Sequence, residues 1–329
     1  MKVLILHNSV DETASLDEKD NLDQLKSISE ALVTLGHDVI PLSFLFNIEA
    51  TIGNIRKIKP DIIFNLVESV EGSGRLIYFG TAVLDYLKIP YTGNPTEAMF
   101  QTSNKLIAKY IMRLEGIPTP DWITSDGEKC SKFEKGSSYI IKAVWEHASI
   151  GMDDHAVVAP ESAEELYRII IDRSKVLGTP FFAEKYIDGR EFNLSVISSE
   201  SGPVVQPPAE MTFVDYPDEK VRIIGYSAKW HEESFEYINT ERVFDFHEND
   251  KPMLEELNKI SLKCWSAFGL NGYARVDLRV DNENRPFVLE INTNPCINVF
   301  SGYSVACDRA GIDYNSMIKR LIDYPVKPV

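Results

Sequence analysis

Residues 275–292, Arg275-Val-Asp-Leu-Arg-Val-Asp-Asn-Glu-Asn-Arg-Pro-Phe-Val-Leu-Glu-Ile-Asn292, hold two runs of alternating apolar and polar residues around a polar turn at Asn282–Arg285. A period of two calls for β-strands, and the turn residues join them as an antiparallel hairpin. If Asp281 and Pro286 close the turn, Asp277 stands opposite Glu290 and Arg275 opposite Asn292. Val276, Leu278 and Val280 then face Ile291, Leu289 and Phe287, which gives one dry face and one charged face. Carboxylates opposed across a ladder repel. A divalent cation between them reverses that sign, and Asp, Glu and Asn are hard oxygen ligands of the kind Mg²⁺ prefers. A solvated face on which Arg275 and Arg279 neutralise the acids satisfies the same pattern. The hairpin alone leaves both readings open.

The chain has 329 residues, enough for a large core and two or three domains. Its 44% hydrophobic and 26% charged content suits a soluble globular enzyme and excludes wholesale disorder. A net charge of −16 argues against a general nucleic-acid binder, although a nucleotide needs only a few local cations. No apolar run approaches the roughly 20 residues that span a bilayer, so no membrane association is expected. Met1-Lys-Val-Leu-Ile-Leu-His7 is too short for a signal peptide and reads as a first strand. The four cysteines, Cys130, Cys264, Cys296 and Cys307, show no CxxC or metal spacing. Reduced thiols and a cytoplasmic location are the expectation.

Strand and helix alternate over residues 1–93: strands at Val3–Leu6, Val39–Leu42 and Asp61–Leu66, helices at Leu22–Leu35 and Leu76–Leu87. Such alternation implies a mainly parallel sheet, with ligands at the carboxyl ends of its strands. Those ends are His7–Asp11 and Asn65–Arg75. No GxGxxG opens the first helix. A helix over Ser103–Glu115 leads to the proline-marked joint Gly116–Pro120. Beyond it the pattern predicts strands at Tyr139–Val144, Phe181–Tyr186, Phe192–Ile197 and Val221–Ala228, with helices at Ala163–Ser174 and Met253–Phe268. This mixture is α+β with substantial antiparallel sheet.

Lys142 ends an apolar strand and precedes Glu146-His-Ala-Ser-Ile-Gly-Met152, a small-residue loop that suits a nucleotide phosphate. A lysine snorkelling from a strand end has the same appearance. Glu184 and Glu191 flank a glycine turn and could accept ribose hydroxyls, or simply form a solvated acidic loop. Ala228-Lys-Trp230 sets a lysine beside a large aromatic, equally consistent with a surface lysine and a core tryptophan. Glu290 and Asn292 share one strand face, and Pro295 forces the chain out of the sheet.

Lys105 after Tyr-Thr-Gly-Asn, Ile-Ile-Lys142, Glu184-Lys-Tyr with Gly-Arg-Glu191, Ala-Lys229, Arg-Val-Asp277 and Leu-Glu290-Ile-Asn292 occur in one order. From about residue 60 to the C-terminus that order resembles the ATP-grasp ligases, most closely the D-alanine–D-alanine ligase family. Each motif is loose; the succession carries the resemblance. It implies an N-terminal α/β substrate domain over 1–93, a central ATP-grasp subdomain over 94–182 and a C-terminal one over 183–329 with the metal site. It further implies that Lys105 and Lys142 contact phosphates, that Glu184, Lys185 and Ile187 line the adenine pocket and that Glu191 holds the ribose. Asp277, Glu290 and Asn292 would bind two Mg²⁺ ions, with Mn²⁺ as an alternative. Lys229 and Arg275 would steady the transferred phosphoryl group. The implied reaction joins a small-molecule carboxylate to an amine through an acyl phosphate, releasing ADP and phosphate, in a homodimeric enzyme.

The chain departs from that family in its acceptor pocket. The dipeptide ligases carry a serine at the position of Ala148 and a tyrosine at that of Trp230, which has no phenolic oxygen. The glutamate that completes their triad has no clear counterpart in the longer loop from Asn8 to Asp20, and a glycine near the substrate carboxylate is here Cys296. The expectation is therefore an ATP-dependent carboxylate–amine ligase whose substrates are not two D-alanines. A true D-alanine–D-alanine ligase and a non-catalytic ATP-binding regulatory protein are the alternatives. Arg75, Arg190, Arg222 and His231 are candidate partners for a substrate carboxylate.

Overall fold

The computed structural model describes residues 1–9, 16–125, 132–145, 152–153 and 155–328. The first strands are β1 (Lys2–Asn8), β2 (Asp38–Phe44) and β3 (Ile62–Leu66), with α1 (Leu16–Thr34) and α2 (Ile48–Ile58) between them. They form a parallel sheet in the order β2-β1-β3. Val3 to Leu6 are wholly buried, as a parallel strand covered on both faces requires. A short 3₁₀ turn at Gly74–Leu76 precedes α3 (Tyr78–Leu87).

The helix expected over 103–115 forms as α5 (Lys105–Leu114), and a further helix, α4 (Thr96–Ser103), precedes it. Asn104 separates them: its extended backbone lets its side-chain oxygen cap the amides of Leu106 and Ile107 at 3.0 Å each. The cap places Lys105 at the first turn of α5. Four strands, β4 (Trp122–Thr124), β5 (Tyr139–Ala143), β6 (Val157–Val158) and β7 (Phe181–Lys185), make an antiparallel sheet ordered β4-β7-β5-β6. Leu166 and Ile170 of α6 (Ala163–Leu177) pack on its Ile123, Ile141 and Ala183.

The remaining strands are β8 (Gly189–Ile197), β9 (Val204–Val205), β10 (Ala209–Phe213), β11 (Thr240–Val243), β12 (Tyr273–Asp281) and β13 (Pro286–Asn292). They build a second antiparallel sheet, β11-β10-β8-β12-β13, with β9 on β8. Two short helices, α7 (Tyr226–Trp230) and α8 (Phe235–Ile238), precede β11, and α9 (Lys251–Ala267) follows it. Leu257 and Ile260 of α9 pack against Leu194, Val276, Leu278 and Ile291. The strand expected over Val221–Ala228 is absent: Ile223 is drawn instead into a cluster with Ile140 and Ala156, and Tyr226 N donates to Met152 O at 3.2 Å. That stretch packs on residues of one antiparallel sheet and bonds to the other, the Arg222 carbonyl accepting from Arg279 of β12.

The hairpin forms with one difference. Val280, rather than Asp281, pairs with Pro286, and the register slips by one residue between Asp277 and Leu278, where Leu289 is extra. The bulge cancels the longer turn, so Asp277 still faces Glu290 and Arg275 still faces Asn292. Leu278 meets Val288 instead of Leu289.

After Pro295 the chain leaves the sheet, as expected, and forms α10 (Gly302–Arg309) and α11 (Tyr314–Asp323). Met317, Ile318, Leu321 and Ile322 join Val3, Ile5, Ile28 and Phe64 in one core, so the chain ends against the sheet with which it began. No described helix is long and apolar enough to cross a membrane.

Candidate active site

The carboxylates of Asp277 and Glu290 occupy facing positions on β12 and β13, which the bulged register dictates. Arg275 holds Asp277 through two bonds, Nε to Oδ1 and Nη2 to Oδ2, both 2.7 Å. Asn193 on β8 donates to the same Oδ1 at 2.8 Å. Burial opposes the charge of Arg275, but Asp277 outweighs it, and the guanidinium pKa is raised. Glu290 faces Lys105 at 3.3 Å. The first turn of α5 therefore delivers an ammonium group to the hairpin's charged face. Asn292 belongs to the same face, with its Oδ1 accepting from Asn294 N at 3.0 Å.

Lys229 arrives on α7, half-buried rather than at the surface. Burial lowers its pKa, and Arg275 adds a like charge; Glu290, Asp277 and Glu191 act in the opposite sense. These charges bring Lys229, Arg275, Asp277, Glu290 and Glu191 into one electrostatic neighbourhood.

The second constellation lies on the other antiparallel sheet. Glu184 on β7 is fully buried between two lysines, with Lys142 Nζ at 2.5 Å from Oε1 and Lys109 Nζ at 2.6 Å from Oε2. Burial alone would raise the Glu184 pKa, but the two ammonium groups overcome it and lower it. Lys109 also donates to Thr119 Oγ1 at 2.7 Å and Pro120 O at 2.9 Å. Burial lowers its pKa to about 8. Lys109 was not singled out from sequence. Its signal was there: a lysine on the apolar stripe of α5, four residues after Lys105.

Other expected residues divide. Glu191 accepts from Arg279 Nε and Nη2 at 3.0 and 2.7 Å, both on Oε2, so Arg279 neutralises β8 and not the hairpin acids. The Ile187 carbonyl accepts from Arg279 Nη1 at 2.8 Å. Lys185 pairs with Glu134 at 2.6 Å on the exposed rim. Arg190 is not available to a substrate, because Glu210 and Asp250 clamp it at 2.7 Å each. The Arg75 guanidinium lies over the Trp145 ring, 5.1 Å from its centroid. Ala148 and Cys130 lie outside the described residues.

The donor set fits a divalent cation of the Mg²⁺ type: two opposed carboxylates and one amide, all oxygen, with no thiolate or imidazole. Among the described residues no group of three or more His, Cys, Asp or Glu is placed to hold a metal ion.

The family described as D-ala D-ala ligase C-terminus matches residues 111–323, well over half of the chain. This protein belongs to that family. The D-alanine–D-alanine ligase of Aquifex aeolicus is 28% identical over 324 residues, covering 98% of this chain and 100% of that protein. Among solved structures, the D-alanine–D-alanine ligase of Bacillus anthracis superposes with a TM-score of 0.73 at 22% identity, over 98% of this chain and 96% of that one. The VanG D-Ala:D-Ser ligase of Enterococcus faecalis gives 0.71 at 17% identity, over 98% of both. The fold is that of the ATP-grasp enzymes, and family membership makes the chain an ATP-dependent carboxylate–amine ligase.

Seen within this ligase family, the departures in the acceptor region have a physical setting. Trp230 is half-buried, 6.4 Å from the Tyr226 ring, and so does not simply fill core. Cys296 stays protonated: burial raises its thiol pKa well above the ordinary value, and the nearby Asp20 and Glu68 add to the rise. A protonated thiol is a poor nucleophile, so this burial speaks against a nucleophilic role for Cys296. Gln24 of α1 ties this loop to the first sheet, donating to Glu68 at 2.9 Å and accepting from Ile297 N at 3.0 Å.

Proposed function

We propose that this ligase activates a carboxylate by phosphorylation and passes the acyl group to an amine, with neither substrate being D-alanine by preference. The carrying observation is the Asp277–Glu290 pair, held between Arg275 and Lys105. A substrate carboxylate oxygen attacks the γ-phosphorus of ATP, the bond to the β-phosphate oxygen breaks, and ADP leaves. The amine nitrogen then attacks the acyl carbon, phosphate departs, and the amine loses a proton. Both steps develop negative charge, and alignment with charge neutralisation is what such a site supplies.

Asp277, Glu290 and Asn292 would hold Mg²⁺, which when bound adds positive charge beside the transferred group. Lys105 and Lys142 meet phosphate oxygens, while Arg275 and Lys229 steady the phosphoryl in flight. Glu184, Lys185 and Ile187 receive the adenine, and Glu191 the ribose. The Lys142–Glu184 contact of 2.5 Å gives Lys142 a resting partner that phosphate would replace.

The relatives' names favour D-alanine as a second reading. Trp230 argues against it, because it brings bulk and no phenolic acceptor, and unpaired polar groups in a pocket cost orders of magnitude in specificity. ADP formation with D-alanine as sole amino acid decides. Turnover is expected to be poor, and efficient synthesis of the dipeptide would establish the second reading instead.

A further inference from the structure

Arg242, on the edge strand β11, reaches across to the loop that follows Pro295. A β-carbon built on Gly302 would lie 3.0 Å from its Nε and 3.1 Å from both Cζ and Nη2. The guanidinium therefore rests where any other residue at 302 would place its side chain. Among the described residues the groups that act on it electrostatically are Arg275, Cys296 and Tyr237, and none of these is a carboxylate. By contrast, Arg275 has Asp277, Arg279 has Glu191 and Arg190 has Glu210. Arg309, beyond Gly302, faces Asp245 at 3.8 Å.

Arg242 is exposed, so water screens its charge at rest, and among the described residues no acidic side chain forms an ion pair with it; its fork is open to an anionic ligand. This is the more telling in a chain with a net charge of −16, where an acid could readily have been supplied. One substrate carboxylate can offset one arginine. Arg275 gives Nε and Nη2 to Asp277, which leaves part of its fork for a first carboxylate, while Arg242 presents a whole fork to a second.

We propose that Arg242 is a specificity-determining residue and that the amine substrate of this ligase is an acidic amino acid, whose side-chain carboxylate docks on Arg242 above Gly302. The proposal rests on the ligase reading and narrows its substrate class. Gly302 is part of the device, because its missing side chain is what lets the guanidinium lie against the start of α10.

The test measures phosphate release with Mg²⁺-ATP and a panel of aspartate, glutamate, asparagine, glutamine and alanine, each as both enantiomers. The wild type should use an acidic member better than its amide isostere, and Arg242→Ala should lower kcat/KM for that acid by roughly 10- to 100-fold, mostly through KM, while leaving the amide unchanged. Gly302→Ala keeps the charge but displaces it, and should give a smaller loss confined to the acid. Arg242→Lys should restore part of it. Arg242 is exposed on an edge strand, so these variants should fold, and unchanged stabilisation by Mg²⁺-ATP verifies it. Equal loss on acid and amide, no loss, or a wild type that prefers neutral amino acids or accepts no acidic one overturns the proposal. Failure of Mg²⁺-ATP to raise the melting temperature at all would overturn the ligase reading itself.

Discussion

Replacing Lys109 by methionine removes one of the two cations that hold Glu184. The Glu184 carboxylate is fully buried, 2.6 Å from Lys109 Nζ and 2.5 Å from Lys142 Nζ. Methionine fills most of the volume but leaves Thr119 Oγ1 and Pro120 O without their donor. Breaking a buried pair by deleting one partner costs about 3–5 kcal/mol, because the surviving charge stays desolvated. In a chain of 329 residues that is a fall in Tm of roughly 4–7 °C. Lys142 then becomes the sole counter-charge of Glu184 and is held there more tightly, so the KM for ATP should rise more than kcat falls. Combining Lys109→Met with Glu184→Gln should recover much of the loss, since removing both partners no longer strands a charge. Differential scanning fluorimetry on the two single variants and the double variant measures this directly, with a coupling of about 2 kcal/mol expected. A Lys109→Met protein melting within about 2 °C of wild type would refute the reasoning. So would a double variant that simply adds the two single effects.

Glu290→Gln should abolish ATP turnover with an unchanged circular dichroism spectrum; relief of the Asp277 repulsion and loss of the Lys105 contact oppose each other, so Tm should move little. Near-normal ligase activity in that variant would exclude the metal role. Lys142→Ala should raise the KM for ATP and lower kcat together, and Mg²⁺-ATP at a hundredfold excess over Kd should stabilise the wild type by about 2.7 kcal/mol in a thermal-shift titration. On the acid side, the folded-state pKa of Glu184 lies below its ordinary value of 4.5, so its contribution is complete above pH 4.5 and is lost as the pH falls through the folded value. Urea midpoints measured downward from pH 5 should therefore decline more steeply for wild type than for Glu184→Gln, and parallel curves would remove Glu184 from the account.

How far residues spoke for themselves depended on the range of the interaction. The facing of Asp277 and Glu290 was legible because a strand's period of two is local. It survived an error in the turn only because Leu289 bulges, a compensation no local pattern announces. The helix carrying Lys105 was legible from its apolar spacing, but that Asn104 caps it and that α4 ends just before it were not. The stretch Val221–Ala228 has the composition of a strand, yet a tertiary cluster around Ile223 decided its path. Arg190 and Arg242 are indistinguishable as letters. One is clamped by Glu210 and Asp250, 20 and 60 residues away in sequence; the other faces Gly302 and Arg275.

By itself the sequence determined the class of fold, the succession of ATP-grasp motifs and the facing of the candidate oxygen ligands Asp277 and Glu290, since these rest on periodicity, residue chemistry and order along the chain. Only the tertiary structure decided which charges meet. It joined Lys109 to Glu184 across 75 residues, Lys105 to Glu290 across 185, and the C-terminal helices to the first sheet. The physical reason is that a charge in a folded protein takes its partner from whatever the packing of distant apolar faces brings near. Desolvation then makes the choice costly to reverse.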